Sequence, residues 1–410
     1  MSRTKLPDIM QSRQVVVAGA GVAGLTAALA LAARGFGVRI YERSPVLQEV
    51  GAGLQLSPNA TRILDGLGVL DHVMPMAVRP EAVVLRDAAT LIERARVPLG
   101  NHAERRWNAP YLVVHRADLQ KALLTRVAQV PEITLATGTA VTSAAPRAGT
   151  LAISIEKDGT GSETEAELFV AADGVWSSNR RLVGPGERSR FSGELAWRTT
   201  IALDSEAGQQ FEAIASTDCV TTFLHSGFHM VAYPVRAGSA INLVAFTPGK
   251  AIAEQWSGEA DPDDLKRAMR GTAPALLRLV DVAGTWTIWP LHTVDASKPW
   301  TTERMALIGD AAHAMTPFAA QGAAMAIEDA YTLAAALASA APLGEWEAAR
   351  KQRVSKVARR GALNHLAWHA AGPVALARNL FLKTRSPQGL AADMDWLYGW
   401  TPPGWSDAEL

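Results

Sequence analysis

The chain has 410 residues, more than one hydrophobic core usually serves, so two domains or one elaborated domain is expected. Lys+Arg and Asp+Glu number 40 each, a balance that gives no support to nucleic-acid or anionic-membrane binding. The single cysteine, Cys219, excludes an intrachain disulfide and suits a reducing cytoplasm.

Met1 to Gln14 is polar and lacks the apolar centre of a signal peptide. Val15 to Ala33 carries no charge, yet its glycines and the following Arg34, Gly35 and Phe36 suit a strand, a tight turn and a buried helix better than a membrane span. Gln14 to Ala18, Val22 to Arg34 and Val38 to Tyr41 read as strand, helix and strand, a βαβ unit opening a parallel sheet. Leu112 to Val127 reads as strand then helix, with Asp118 in the helix-starting turn. Glu132 to Leu135, Leu151 to Ile155 and Leu168 to Ala172 are further strands.

From Phe191 to about Thr247 the pattern changes to short strands: Leu195 to Ala202, Val220 to Leu224, Phe228 to Val235 and Ile241 to Phe246. These suggest an antiparallel sheet with a different task. Asp261 to Val282 reads as one helical stretch, Met305 to Gly309 as a buried strand, and Ala323 to Ala341 as a long apolar helix. After Gly344 the chain reads as helical and charged. The expected fold class is α/β, a Rossmann-like dinucleotide-binding unit plus an antiparallel-sheet unit and C-terminal helices. The nucleotide unit is expected to be discontinuous, at 1–75, 105–185 and 285–345, with a substrate unit at 76–104 and 186–284 and a helical region at 346–410.

Gly19, Gly21 and Gly24 form GxGxxG between the first strand and its helix. The first glycine permits the turn, the second lets backbone approach a pyrophosphate, and the third lets helix pack on strand. Ala23 lies inside the motif. Glu42 ends the second strand, near the spacing of about 20 expected of an acid on a ribose 2′-hydroxyl. An acid there suits FAD or NAD rather than NADP. Two further segments favour FAD: Asp173-Gly174-Val175-Trp176-Ser177-Ser178-Asn179-Arg180, and Gly309-Asp310 with Pro317 and Gln321-Gly322-Ala323 following.

With GxGxxG, DGxxSxxR and GD in this order and spacing, the sequence resembles the single-component flavin-dependent aromatic hydroxylases. It resembles most the branch that contains salicylate hydroxylase, 3-hydroxybenzoate 6-hydroxylase and 6-hydroxynicotinate 3-monooxygenase. The resemblance runs from about Gln14 to Trp396–Gly399. It implies the para-hydroxybenzoate hydroxylase-like fold, non-covalent FAD, and NADH or NADPH and dioxygen as co-substrates. A small hydroxylated aromatic or N-heteroaromatic acid would be hydroxylated through a flavin C4a-hydroperoxide.

Carried over residue by residue, the resemblance places Glu42 and the adjacent Arg43 at the adenosine end and Arg116 near the phosphate and ribityl region. Asp310 falls at the ribityl and pyrophosphate portion, and Pro317, Gly322 and Ala323 beside the isoalloxazine ring. Gly53 and Gln55 follow the family's mobile flavin-side loop, and Asp173 and Arg180 match the motif linked to both FAD and nicotinamide. Phe228 to Val235 would border the substrate.

Two-residue periodicity puts His229, Val231 and Tyr233 on one face of that strand. His229 is expected to accept a proton, and Tyr233 to orient the substrate hydroxyl or relay its proton. His225 is expected on the same face if no bulge intervenes, and Trp197, Phe223, Trp289 and Phe318 are candidate apolar walls. No Arg or Lys stands out for a substrate carboxylate.

His365 and His369 lie four apart on a helix but lack the glutamate of HExxH, so no metal site is expected. There is no GxSxG elbow and no P-loop. Trp286-Thr287-Ile288-Trp289-Pro290 does not match the WxWxIP element of flavin halogenases. Ala314 stands where the family's GD segment often has Pro, and His292 where Tyr or Arg is common, so no one relative's substrate can be copied. A flavin dehydrogenase or oxidase, and a non-catalytic FAD-binding protein, remain as alternatives. The apolar C-terminal helices fit a monomer or a homodimer.

Overall fold

The computed structural model describes residues 13–47, 53–184, 188–251 and 258–405. Its first strands are β1 (Gln14–Ala18), β2 (Gly37–Tyr41), β3 (Gly53–Leu56), β4 (Ala82–Asp87), β5 (Glu93–Pro98) and β6 (Leu112–His115). The middle of the chain adds β7 (Ile133–Ala136), β8 (Thr139–Arg147), β9 (Thr150–Lys157), β10 (Thr160–Ala166) and β11 (Leu168–Ala171). The remaining strands are β12 (Arg190–Ala202), β13 (Val220–His225), β14 (Phe228–Val235), β15 (Ala240–Pro248), β16 (Gly258–Ala260), β17 (Trp286–Thr293) and β18 (Met305–Leu307). Five helices matter to the site: α1 (Val22–Ala32), α2 (Arg116–Val127), α3 (Gly322–Ala338), α4 (Leu343–Trp368) and α5 (Gly372–Thr384).

A parallel sheet in the order β18-β11-β1-β2-β7 gathers strands from distant parts of the chain into one frame. Val15, Val16 and Val17 are wholly buried at its centre, as a strand covered on both faces must be. α1 is buried along most of its length, because it lies between this sheet and α3. That explains why Val15–Ala33 lacks charge. Among the described residues no helix is long and apolar enough to cross a membrane.

The second large sheet has the order β16-β17-β12-β15-β14-β13-β4-β5. One face presents Ala196, Val231, Tyr233, Val244 and Phe246 to the core shared with the parallel sheet. The other presents Trp197, Phe223, Met230 and Ala245 to a second core closed by helices at Pro262–Ala268 and Pro274–Val282. With both faces covered, all eight residues of β14 are buried and the strand reads as nearly continuous apolar sequence.

Several expectations are corrected. Asp261 to Val282 is two helices, broken where Gly271 takes φ +86° and Pro274 starts the second. The segment 76–104 contains the β4–β5 hairpin, whose turn Asp87 closes by accepting from the Ala89 and Thr90 amides. β17 pairs with β12 in the eight-stranded sheet, beyond the boundary drawn at 285. β8 and β10 flank β9 in a three-stranded sheet whose polar, partly exposed strands gave little apolar signal.

Candidate active site

The glycine turn leaves β1 with Gly19 at φ +104°. A Cβ there would lie 2.5 Å from the Ala172 carbonyl oxygen, and one at Gly24 would fall 1.9 Å from the Gly19 carbonyl oxygen. Both positions therefore require glycine. Gly21 faces open space at the N-terminus of α1, which has no side-chain cap and no acid in its first turn. A helix start left open in this way is an anion site.

Glu42 is fixed at the end of β2. One carboxylate oxygen accepts from the Ala20 amide at 2.8 Å and the other from the Ser44 amide at 2.9 Å. Arg43 is exposed beside it. Gln120, which the sequence did not single out, ties α2 to the glycine turn by donating to the Ala20 carbonyl at 2.9 Å. This brings exposed Arg116, at the start of α2, to the same end of the sheet.

The GD segment closes the cradle. Gly309 has φ +59°, and a Cβ there would lie 3.1 Å from the Cβ atoms of both Ala23 and Ala326. Asp310 follows with its side chain exposed. Arg180 donates to the Ala311 and Val175 carbonyls at 2.9 and 3.1 Å, so the DG and GD segments are stitched together. Asp173 accepts from Asn179 with one oxygen, and its other oxygen is buried without a partner. Beyond Pro317, α3 begins at Gly322 with open space and no side-chain cap, and Ala323 follows. Two uncapped helix starts, a fixed carboxylate and an orphaned buried oxygen fit a dinucleotide such as FAD.

The face of the eight-stranded sheet that carries His229 and Tyr233 lies against this frame. His229 is fully buried, stacked on Phe246 at 4.7 Å and met edge-on by Phe318 at 5.2 Å. Its Nδ1 lies 3.0 Å from His369 Nε2, while its own Nε2 is buried without a partner. Burial, with His369 and His365 nearby, pushes its pKa well below 6.5. Burial pushes the Tyr233 phenol upward against the opposing pull of Arg198. The Tyr233 ring packs on the backbone of Gly53, where a Cβ would come within 2.3 Å of it. The Gly53 amide donates to Asn242 Oδ1 at 2.9 Å. Gln55, in paired strand β3, accepts from the Tyr111 hydroxyl at 2.7 Å. Gly51 and Ala52 lie outside the described residues.

Register sorts the candidate walls. His229, Phe246, Ala196 and Trp289 form one row across four strands, so Trp289 shares the His229 face, as Phe318 does from the cofactor loop. Trp197 and Phe223 are opposite Ala245 and Met230 and belong to the second core, so neither lines the site. His225 pairs with Phe228 across a two-residue hairpin and leaves the sheet on the face opposite His229. The i, i+4 count fails because it runs through a chain reversal.

Arg198 is the residue that sequence reasoning missed. It stands in the row Val231–Val244–Arg198, on the His229 and Tyr233 face. Its Nε is buried without a partner, and among the described residues no carboxylate pairs with it. Burial lowers its pKa, offset in part by Tyr233 and reinforced by Arg116. Its place two residues after Ala196, on the alternate positions of the expected strand Leu195 to Ala202, was the available signal. Among the described residues, no group of three or more His, Cys, Asp and Glu is arranged to hold a metal ion.

Comparison with known proteins agrees with this geometry. A family model described as an FAD binding domain matches residues 12–359. The chain is 32% identical over 393 residues to 3-hydroxybenzoate 6-hydroxylase of Polaromonas naphthalenivorans (strain CJ2), covering 94% of this chain and 96% of the relative. It is 34% identical over 395 residues to 3-amino-4-hydroxybenzoate 2-monooxygenase of Streptomyces cremeus, covering 95% of each. The crystal structure of Klebsiella pneumoniae HpxO complexed with FAD and uric acid superposes with a TM-score of 0.79 at 25% identity, covering 93% of this chain and 95% of that one.

Proposed function

The chain belongs to the FAD binding domain family and is an FAD-dependent aromatic monooxygenase, and we propose that its substrate is a small ring bearing both a hydroxyl and a carboxylate. When bound, FAD supplies hydride acceptance from a reduced nicotinamide and activation of dioxygen. The glycine turn, Glu42, Arg116, Asp173 and Asp310 would hold it, with Pro317, Gly322 and Ala323 along its ring end. The protein binds the substrate, orients it, moves its proton and excludes water.

The observation that carries this reading is Arg198: a half-buried arginine whose Nε is buried without a partner and which, among the described residues, pairs with no carboxylate, on the sheet face that holds a neutral histidine and a protonated phenol. A guanidinium drawn partly out of water, with one N–H left unpaired, is complementary to an incoming anion. His229 and Tyr233 are four residues apart on one strand, about 13 Å along it, a span that a substituted ring fills between their side chains. Tyr233 and Arg198 hold the carboxylate end. His229 Nε2, neutral at pH 7, accepts the hydroxyl proton and so enriches the ring in electrons. Both named relatives act on hydroxybenzoates, which supports this class. The lone Cys219, buried and free, supports a cytoplasmic setting, where reduced nicotinamide is at hand.

The test is anaerobic reduction of the FAD-loaded protein by NADH and NADPH across hydroxybenzoates, hydroxynicotinates and the matching phenols without a carboxylate. A carboxylated member should accelerate flavin reduction and be hydroxylated in air. Arg198→Met should weaken its binding at least tenfold while leaving the uncharged phenols nearly unchanged. Equal loss for both sets, or hydroxylation of uncharged rings alone, would overturn the carboxylate assignment.

A further inference from the structure

His229 is fully buried, so a proton taken from the substrate must leave through the protein or stay as a charge in a dry site. A continuous row of groups leads outward from its far nitrogen. His229 Nδ1 lies 3.0 Å from His369 Nε2, and His369 Nδ1 lies 2.9 Å from His365 Nε2. His365 Nε2 is also 3.1 Å from Glu194 Oε1. The imidazole of His365 is 34% exposed. The row thus begins in the driest part of the sheet and ends at solvent on α4.

We propose that His369, His365 and Glu194 form a proton path between His229 and bulk water, resting on the reading of His229 as the group that accepts the substrate proton. His229 takes the hydroxyl proton at Nε2 and passes its Nδ1 proton to His369 Nε2. His369 passes its Nδ1 proton to His365 Nε2. One nitrogen cannot accept and donate at once, so the two contacts of His365 Nε2 are successive states. Neutral His365 accepts from His369, and protonated His365 donates to Glu194 or to water. The reverse transfer, to the oxygen of the product, restores the starting tautomers, so no net proton or electron is required.

The surroundings suit transfer rather than storage. Burial first, then His365 and His225, lowers the pKa of His369 to about 4. Among the described residues, the charged groups around the row are Glu194 at its outer end, Asp87 beyond His225, and Arg378 of α5, which donates to the Ala367 carbonyl at 2.9 Å and interacts with Asp87. Phe246, Phe318 and Trp368 enclose the inner end and keep water from short-circuiting it.

The experiment mixes the oxidised FAD-loaded protein with 3-hydroxybenzoate, 3-amino-4-hydroxybenzoate or 6-hydroxynicotinate in weak buffer, choosing the one that perturbs the flavin absorbance most. A pH-indicator dye follows proton release in rapid mixing. His369→Gln and His365→Gln should keep FAD content and ligand affinity yet slow proton release at least tenfold, and added imidazole should speed it again. His229→Gln should abolish the release. Release by either outer variant at the wild-type rate would overturn the path while leaving His229 in place. Wild-type release by His229→Gln, or no release by the wild-type protein, would overturn the underlying reading and the path with it.

Discussion

Gly53 shows how one missing side chain shapes this site. Its backbone is the surface on which the Tyr233 ring rests, and its amide is held by Asn242, which pairs with Tyr233 across β14 and β15. A methyl group at Gly53 would lie 2.3 Å from Cε2 of that ring, so ring or strand must shift. The two strands come from distant parts of the sequence, so the cost falls on the site rather than on local folding. Gly53→Ala should raise the substrate Kd at least tenfold and move the Tyr233 ring, while the unfolding free energy falls by only about 1–3 kcal/mol, the usual cost of overpacking. Ligand titration beside urea unfolding decides this. Unchanged affinity would mean that the phenol does not touch substrate.

At the scale of elements, the cofactor loop is held by a buried ionic joint between α3 and α4. Arg350 donates to Glu328 and Asp329 at 2.8 Å each, and Arg353 donates to Glu328 at 2.8 Å. Arg353 also reaches the Trp396 carbonyl, which docks the C-terminal aromatic segment. Asp329 accepts from the Gly309 amide at 2.9 Å and lies 2.5 Å from His313 Nε2, so it sets the GD turn itself. Burial alone would raise its pKa, but His313 and Arg350 outweigh that and bring it down to about 2. A carboxylate depressed on folding gives stability that is complete above its unfolded value and lost as pH falls through its folded one. The window here runs from about pH 4 to about pH 2, with about 2 kcal/mol at stake. Asp329→Asn should be less stable at pH 7 and should lack this part of the acid slope, as denaturation at several pH values would reveal. An unaltered slope would place the acid sensitivity elsewhere.

For the molecule as a whole, what could be read from sequence divides by distance along the chain. GxGxxG, Glu42 and the β1–α1–β2 unit are local, because turn geometry and helix packing dictate glycine within six residues. The His229 and Tyr233 face was legible because strand periodicity needs no partner. Arg198 and His369 were not, since one depends on the lateral register of three strands and the other on a helix 140 residues away. Trp197 and Phe223 failed for a related reason. A sheet covered on both faces gives aromatic residues to each, and sequence does not say which face meets the cofactor.

That two-core arrangement carries a consequence for mutation. Phe223 is fully buried opposite Met230 in the core remote from the site, whereas Phe318 touches His229, Phe246 and His365. Phe223→Ala should lower unfolding free energy by about 3–5 kcal/mol, the cost of emptying a large core position. The fraction that stays folded should keep its substrate Kd and its yield of hydroxylated product per nicotinamide consumed. Phe318→Ala opens the inner wall to water instead, so it should cost less stability but divert oxygen to peroxide and lower that yield. Measuring peroxide and product together, on protein normalised for bound FAD, separates the two. If Phe223→Ala lost coupling and Phe318→Ala did not, the substrate would lie on the other face of the eight-stranded sheet, against the helices at Pro262–Ala268 and Pro274–Val282.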